Sequence, residues 1–252
     1  MKFDYVTNDS QKSLAPIFSA KMLSITFNMV WILALILLIW TPRKALPVYL
    51  NEQVMPLNFL AVFVATLLMN TYVNLRCGRG EIFESPILVR PERERLVTFE
   101  EERAFFSYGL VEFLFHTILL LMILLPLLLV SAAISAISPR GLFEALSIIF
   151  TASLLCRLFG FLMFLSWKNR PRIGYHFARL FFYFFIFATG IFAPYANPIL
   201  LFYSLYNGRD ISAPFSFGPY AFHMIIMTLA ILILTLANQL MVRHNVLEGK
   251  SK

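Results

Sequence analysis

Residues 142–167 read LFEALSIIFTASLLCRLFGFLMFLSW. Glu144 and Arg157 interrupt an otherwise apolar run. It is entered through Ser138-Pro139-Arg140-Gly141, and it exceeds the roughly 20 residues a helix needs to cross the hydrocarbon core of a bilayer. Five more runs of similar make flank it. They are Met22–Trp40, closed by Thr41-Pro42-Arg43; Leu57–Leu75, ending at Arg76; Tyr108–Ile134, with Pro126 inside it; a run from about Phe177 to Phe192, stopped by Pro194; and Tyr220–Val242. The pattern predicts an all-α membrane protein, a bundle of six transmembrane helices forming a single transmembrane domain over residues 1–252.

Composition agrees with that reading. Of 252 residues 59% are hydrophobic, 14% are charged, and the mean hydropathy is +0.74. An ordinary soluble domain carries about 25% charged residues. The net charge of +7 would suggest nucleic acid as a partner in a soluble protein. Here the cations sit between the apolar runs, which points to membrane topology and anionic lipid headgroups and away from nucleic acid. Cys77 and Cys156 show neither a pairing pattern nor metal-ligand spacing. The first 21 residues are polar, so the first run reads as an uncleaved anchor.

The cations also set the orientation. With the N-terminus inside, the inner segments hold Lys2, Lys12 and Lys21; Arg76, Arg79, Arg90, Arg93, Arg95 and Arg103; Lys168, Arg170, Arg172 and Arg179; and Arg243, Lys250 and Lys252. The outer segments hold Arg43, Lys44, Arg140 and Arg209. Sixteen against four puts both termini in the cytoplasm. A bacterial inner membrane is the default setting for such a bias.

Three segments outside the runs carry pattern. Residues 1–21 form a cytoplasmic tail in which Leu14–Leu23 reads equally as an interfacial helix or an irregular tail. Residues 77–107 form the largest polar stretch, with Glu81, Glu84, Glu92, Arg93, Glu94, Arg95, Glu100, Glu101, Glu102 and Arg103 in mixed sign. Such mixing suits a solvated helix with pairs one turn apart. A docking surface for a cytoplasmic partner is favoured over a plain loop. Residues 194–219 form an outer loop broken by Pro194, Pro198, Pro214 and Pro219. The apolar piece Ile199–Tyr206 within it suits a re-entrant or surface-lying helix, against the simpler reading of a structured loop.

No enzyme constellation stands out. There is no Gly-rich phosphate loop, no paired-His zinc motif and no nucleophile elbow, and the chain carries no cofactor motif of its own. The intramembrane ionisable residues are candidates because charge is costly in lipid. Glu112 and His116 lie four apart near the inner end of the third run. They fit a proton relay, or an interfacial pair, and their shallow depth favours the pair. Arg157 lies about 15 Å from Trp167 along a helix. That depth predicts a side chain facing the bundle interior, paired with a carboxylate or with carbonyls; Glu112 is nearest in depth. Glu144 and His223 are read as interfacial, and Tyr203, Tyr206 and Tyr220 as an outer aromatic belt.

Several stretches together resemble a known family. These are Ala15-Pro16-Ile17-Phe18-Ser19-Ala20-Lys21 before the first run, the charged stretch between the second and third, and Leu125-Pro126-Leu127 followed by Ser138-Pro139-Arg140-Gly141-Leu142. Leu158-Phe159-Gly160-Phe161, Ser166, Ala196-Asn197-Pro198-Ile199-Leu200 and Tyr206-Asn207-Gly208 complete the set. In layout and loose motif the chain resembles the permease subunits of ABC transporters, of the type-2 exporter kind. The coupling region departs from that family: Gly80-Glu81-Ile82-Phe83-Glu84-Ser85-Pro86-Ile87 stands where a Glu-rich, Gly-Thr-containing run is common.

The resemblance implies an inner-surface helix before the first span and a coupling helix in 77–107 that docks a separate ATP-binding subunit. It also implies a pathway shared with a second permease copy or homologue. ATP would be hydrolysed by the partner, and the aromatic-rich spans suit a lipid-like or amphipathic substrate. The alternative expectation is a non-transporting scaffold or anchor subunit of a larger membrane assembly. A membrane enzyme ranks third, because only Glu112, His116 and Arg157 approach a polar cluster at one depth.

Overall fold

The computed structural model describes residues 20–40, 48–78, 99–167, 170–207 and 218–250. Every regular element among them is helical. In chain order these are α1 (Ala20–Trp40), α2 (Val48–Gly78), α3 (Phe99–Ile134), α4 (Pro139–Ser166) and α5 (Pro171–Tyr183). A π-helical turn at Phe184–Ala188 leads into α6 (Thr189–Phe192), followed by α7 (Pro198–Asn207) and α8 (Pro219–Lys250). Among the described residues five stretches are long and apolar enough to cross a membrane: Leu57–Gly78, Phe113–Ile134, Pro139–Ser166, Arg172–Phe192 and Pro219–His244. That architecture is compatible with an integral, multi-pass membrane protein. In α1 the described apolar stretch is the shorter Phe27–Ile36.

The helix ends follow local chemistry. α3 closes with Ile137 N–H donating to the Ala132 carbonyl at 2.9 Å while Ala136 takes a left-handed φ of 52°. That is the wrapped end usually given to glycine, here held by a residue that strains to adopt it. Ser138 then caps α4 by accepting the Gly141 N–H at 3.1 Å, and Pro139 fills the first turn, where no amide donor is needed. The turn is therefore short, and α3 and α4 run antiparallel.

Contacts fix the other directions. Asn58 meets Ser131 and Asn74 meets Thr117, so α2 and α3 are antiparallel. Phe159 stacks on Phe181 at 3.7 Å, and Gly174 fits against Met163 and Trp167, so α5 is antiparallel to α4. Tyr220 bonds Ser147 at 2.7 Å and Asn238 bonds Leu158, so α8 runs parallel to α4. The five long stretches thus alternate in direction, as successive spans must. α4 is the hub, packing against α2, α3, α5, α7 and α8.

Several boundaries differ from the sequence expectation. The fifth helix begins at Pro171, ahead of Phe177, because Pro171 suits a helix start and the polar Arg172, His176 and Arg179 lie on its exposed side. Arg179 rests over the Tyr175 ring at 4.0 Å. The third helix reaches back to Phe99, so Glu100, Glu101, Glu102 and Arg103 occupy its first turns, and Cys77 and Gly78 end α2. Residues Glu81, Glu84, Glu92, Arg93, Glu94 and Arg95 lie outside the described residues, as do residues 1–19. The apolar piece Ile199–Tyr206 lies within the helix α7, with Leu201 and Phe202 buried and Phe202 stacked on Phe63 of α2 at 4.1 Å.

Candidate functional site

α2 is the least apolar-looking of the inner helices because Asn58, Thr66, Asn70, Thr71 and Asn74 punctuate it. All five are completely buried. Thr66, Asn70 and Asn74 recur every four residues, so they share one face, and the Asn74 bonds turn that face toward α3 and α4. Arg157 of α4 meets that face at Asn74.

Asn74 is the centre of the cluster. Its Oδ1 accepts from Arg157 Nη1 at 3.0 Å and from the Thr117 hydroxyl at 3.1 Å. Its Nδ2 donates to the Asn70 carbonyl at 2.8 Å and to Asn70 Oδ1 at 3.2 Å. The Thr117 hydroxyl also lies 2.7 Å from the Phe113 carbonyl one turn back. Arg157 is 2% exposed, and its guanidinium sits 5.1 Å from the centre of the Phe113 ring. Phe113 in turn meets Phe161 edge-on. The arginine is thus held by an amide oxygen and an aromatic face, both of which favour a cation in a water-poor setting.

Gly78 brings the helices this close. A Cβ there would fall 2.1 Å from the Arg157 carbonyl oxygen and 3.0 Å from Phe161 N. The last turn of α2 therefore lies backbone against backbone on α4, at the level of Arg157. Asn238 of α8 approaches the same turn from another side, donating to the Leu158 carbonyl at 3.0 Å.

Arg157 faces the interior, as its depth predicts, with Asn74 as a partner. Glu112 and His116 lie on α3, each one position before Phe113 and Thr117; their side chains are outside the described set. Glu144 pairs with Arg140 at 3.0 Å near the opposite end of α4. His223, read as interfacial, lies in the second turn of α8. It is 0% exposed, with Nδ1 3.0 Å from the Tyr195 carbonyl, because the loop before α7 folds over the start of α8.

That loop is tied down by Asn197. Its Oδ1 accepts the Ile199 and Leu200 N–H groups at 3.0 Å each, capping α7. Its Nδ2 donates to the Ile186 carbonyl at 2.7 Å, inside the π-helical turn, and to the Thr189 hydroxyl at 3.1 Å. The Thr189 hydroxyl itself donates to the Phe185 carbonyl.

Asn70, Asn74, Thr117 and Asn197 had not been singled out as site residues from the sequence. The four-residue spacing of Thr66, Asn70 and Asn74 inside an apolar run was the available signal. Chemically the cluster fixes a positive charge and a chain of hydrogen bonds inside the bundle, and it brings together no nucleophile and base. No group of three or more His, Cys, Asp or Glu that could hold a metal ion occurs among the described residues. Comparison of the chain with protein-family models, curated proteins and solved structures gives no match.

Proposed function

We propose that this chain is the six-span permease subunit of an ATP-driven transporter of the ABC type. Both termini and residues 77–107 face the cytoplasm in this reading, α1 is the first span, and the membrane is a bacterial inner membrane. A separate ATP-binding subunit docks on the charged stretch, and a second permease copy or homologue completes the pathway for a lipid-like or amphipathic substrate. The observation that carries the reading is the contact of Gly78 with the Arg157 carbonyl. Gly78 is the last residue of α2 before the charged stretch, so a displacement imposed there by a partner reaches the buried arginine through rigid backbone. Two further facts support it. Arg76, Arg170, Arg172 and Arg243 lie at the end of the bundle where that stretch leaves α2 and enters α3. A buried intramembrane cation is a functional feature by default, given its cost in lipid.

Affinity purification in mild detergent with mass spectrometry tests this. A stoichiometric ATP-binding subunit is expected, and replacing Glu100, Glu101 and Glu102 with Ala should weaken its association without affecting insertion. If association survives removal of every acidic residue from Glu81 to Glu102, the docking assignment fails. The second reading, a scaffold subunit, is favoured by the exposed apolar sides of the π-helical turn after α5 and of α8, which include Phe184, Phe187, Leu232 and Leu236. Recovery of unrelated membrane subunits in place of an ATPase would select it.

A further inference from the structure

α5 presents two unlike stripes side by side on its outward face. Arg172, His176 and Arg179 are spaced four and three residues apart, so they share one side of the helix, and all three are exposed. Phe177 and Leu180, continued by Phe184 in the π-helical turn, form the neighbouring stripe and are exposed as well. The opposite side, with Gly174, Ala178 and Phe182, is buried. The start of the helix is held firmly on α4. Arg170 N–H donates to the Trp167 carbonyl at 2.9 Å, Trp167 stacks on Phe177 at 5.6 Å, and a Cβ on Gly174 would fall 3.0 Å from the Met163 carbonyl oxygen. Indole rings gather at the headgroup level of a bilayer, and Trp167 marks that level here. Arg179 lies about 10 Å along the helix from Arg172. The cations therefore step from the headgroups toward the acyl chains.

The elements packed around α5 do not answer this charge. The sequence has no Asp or Glu between Glu144 and Asp210. Glu144 is paired with Arg140 at the other end of α4, and α2 carries no carboxylate from Leu57 to Gly78. Among the described residues none forms an ion pair with Arg172, His176 or Arg179. Arg179 rests over the Tyr175 ring, which leaves its outer edge free to donate. The first turn of α5 holds no acidic side chain either, so its amide end adds to the same positive field.

We infer that this face of α5 binds an anionic phospholipid, with its phosphate on Arg172 and Arg179 and an acyl chain along Phe177, Leu180 and Phe184. Guanidinium groups grip phosphate through paired N–H···O bonds, and long cationic side chains bend toward the headgroup level. An acidic peptide would satisfy the cations and leave the apolar stripe unused, whereas an anionic amphiphile uses both. The site needs only the membrane-spanning arrangement of the helices, so failure of the transporter reading leaves it standing.

The test uses the full chain purified in detergent, stripped of lipid and titrated with phosphatidylglycerol or with phosphatidylcholine of the same acyl chains. Bound lipid is counted by native mass spectrometry, and thermal unfolding is read in parallel. Phosphatidylglycerol should bind saturably and raise the unfolding midpoint, and phosphatidylcholine should do neither. Arg172→Gln and Arg179→Gln should each weaken phosphatidylglycerol about fivefold, the effect of one cation at a lipid surface. Arg140→Gln, at the other end of α4, should leave it unchanged. Both α5 arginines are exposed, so without lipid their variants should unfold with the wild type. Equal binding of the two lipids, or an affinity that neither α5 change alters, overturns the inference. So does an equal midpoint shift from glycerol phosphate, which would identify a site for free phosphate. Binding that emerges only after Glu81→Gln, Glu84→Gln, Glu92→Gln and Glu94→Gln together also overturns it, because the chain's own acidic stretch would then be the occupant.

Discussion

α4 and α8 have equal mean hydropathy over their most apolar stretches, yet 67% of that stretch of α4 is buried within the protein and only 17% of that of α8. Hydropathy measures fitness for lipid or for a protein interior and cannot separate the two. The small and polar residues do. α4 carries Ser153, Arg157 and Gly160 in an almost unbroken buried run from Thr151 to Phe161, where other helices come close enough to touch backbone. Among the described side chains of α8 the buried polar groups are His223 in its second turn and Asn238 past its middle, and between them Leu229, Leu232, Ile233 and Leu236 face outward. In a membrane, where lipid is as apolar as leucine, close packing and interhelical hydrogen bonds separate the buried helix from the lipid-facing one.

Substitutions graded along that difference sharpen or break it, each read by unfolding in one detergent. Gly78→Ala should cost the most, about 3 kcal/mol, since its methyl meets a carbonyl oxygen of α4 that cannot retreat without moving the helix. Near-normal stability would mean that α2 and α4 slide freely. Arg157→Leu removes the charged donor from Asn74 Oδ1 and leaves Thr117 as its partner; a loss of about 2 kcal/mol is expected. Arg157→Lys should not restore it fully, because a compact ammonium does not reproduce a planar guanidinium lying against an aromatic face.

Asn238→Leu should fall within about 1 kcal/mol of the wild type. It deletes the bond to the Leu158 carbonyl but also the buried Oδ1 that has no partner. Smallest of all, the double change Leu229→Ala with Leu236→Ala should shift stability by less than about 0.5 kcal/mol. A loss as large as that of Arg157→Leu would break the comparison, and would place another protein surface on α8 in the purified material.

The long apolar runs were legible in the sequence because lipid and protein interior impose the same length and composition. Arg157 was legible for a related reason: a cation so far along a span has few places to go but inward. Asn74 and Thr117 were not, because an amide or hydroxyl inside an apolar run lowers its hydropathy only slightly, and its partner lies on another helix. The spacing of Thr66, Asn70 and Asn74 held the signal, but only knowledge of which face meets α4 gives it meaning. The short helix α7 was visible in its apolar character, and the Asn197-Pro198 start fits the cap observed. The burial of His223 was not legible, because the 193–197 segment that covers it is distant in sequence. The start of α5 was placed late because its exposed side carries arginines, and charge was taken for the end of the helix.

The polar face of α2 also bears on how the chain is made. Its partners appear in order during synthesis: Thr117 follows Asn74 by 43 residues and Arg157 by 83. At roughly 5–20 residues per second, Asn74 waits about 4–17 s for its arginine after it is translated. Through that interval the α2 asparagines have no α4 to face, and lipid offers them no hydrogen bond. A newly made α2 is therefore best kept beside the insertion machinery until α4 arrives, and the two helices would then leave for the bilayer as a pair.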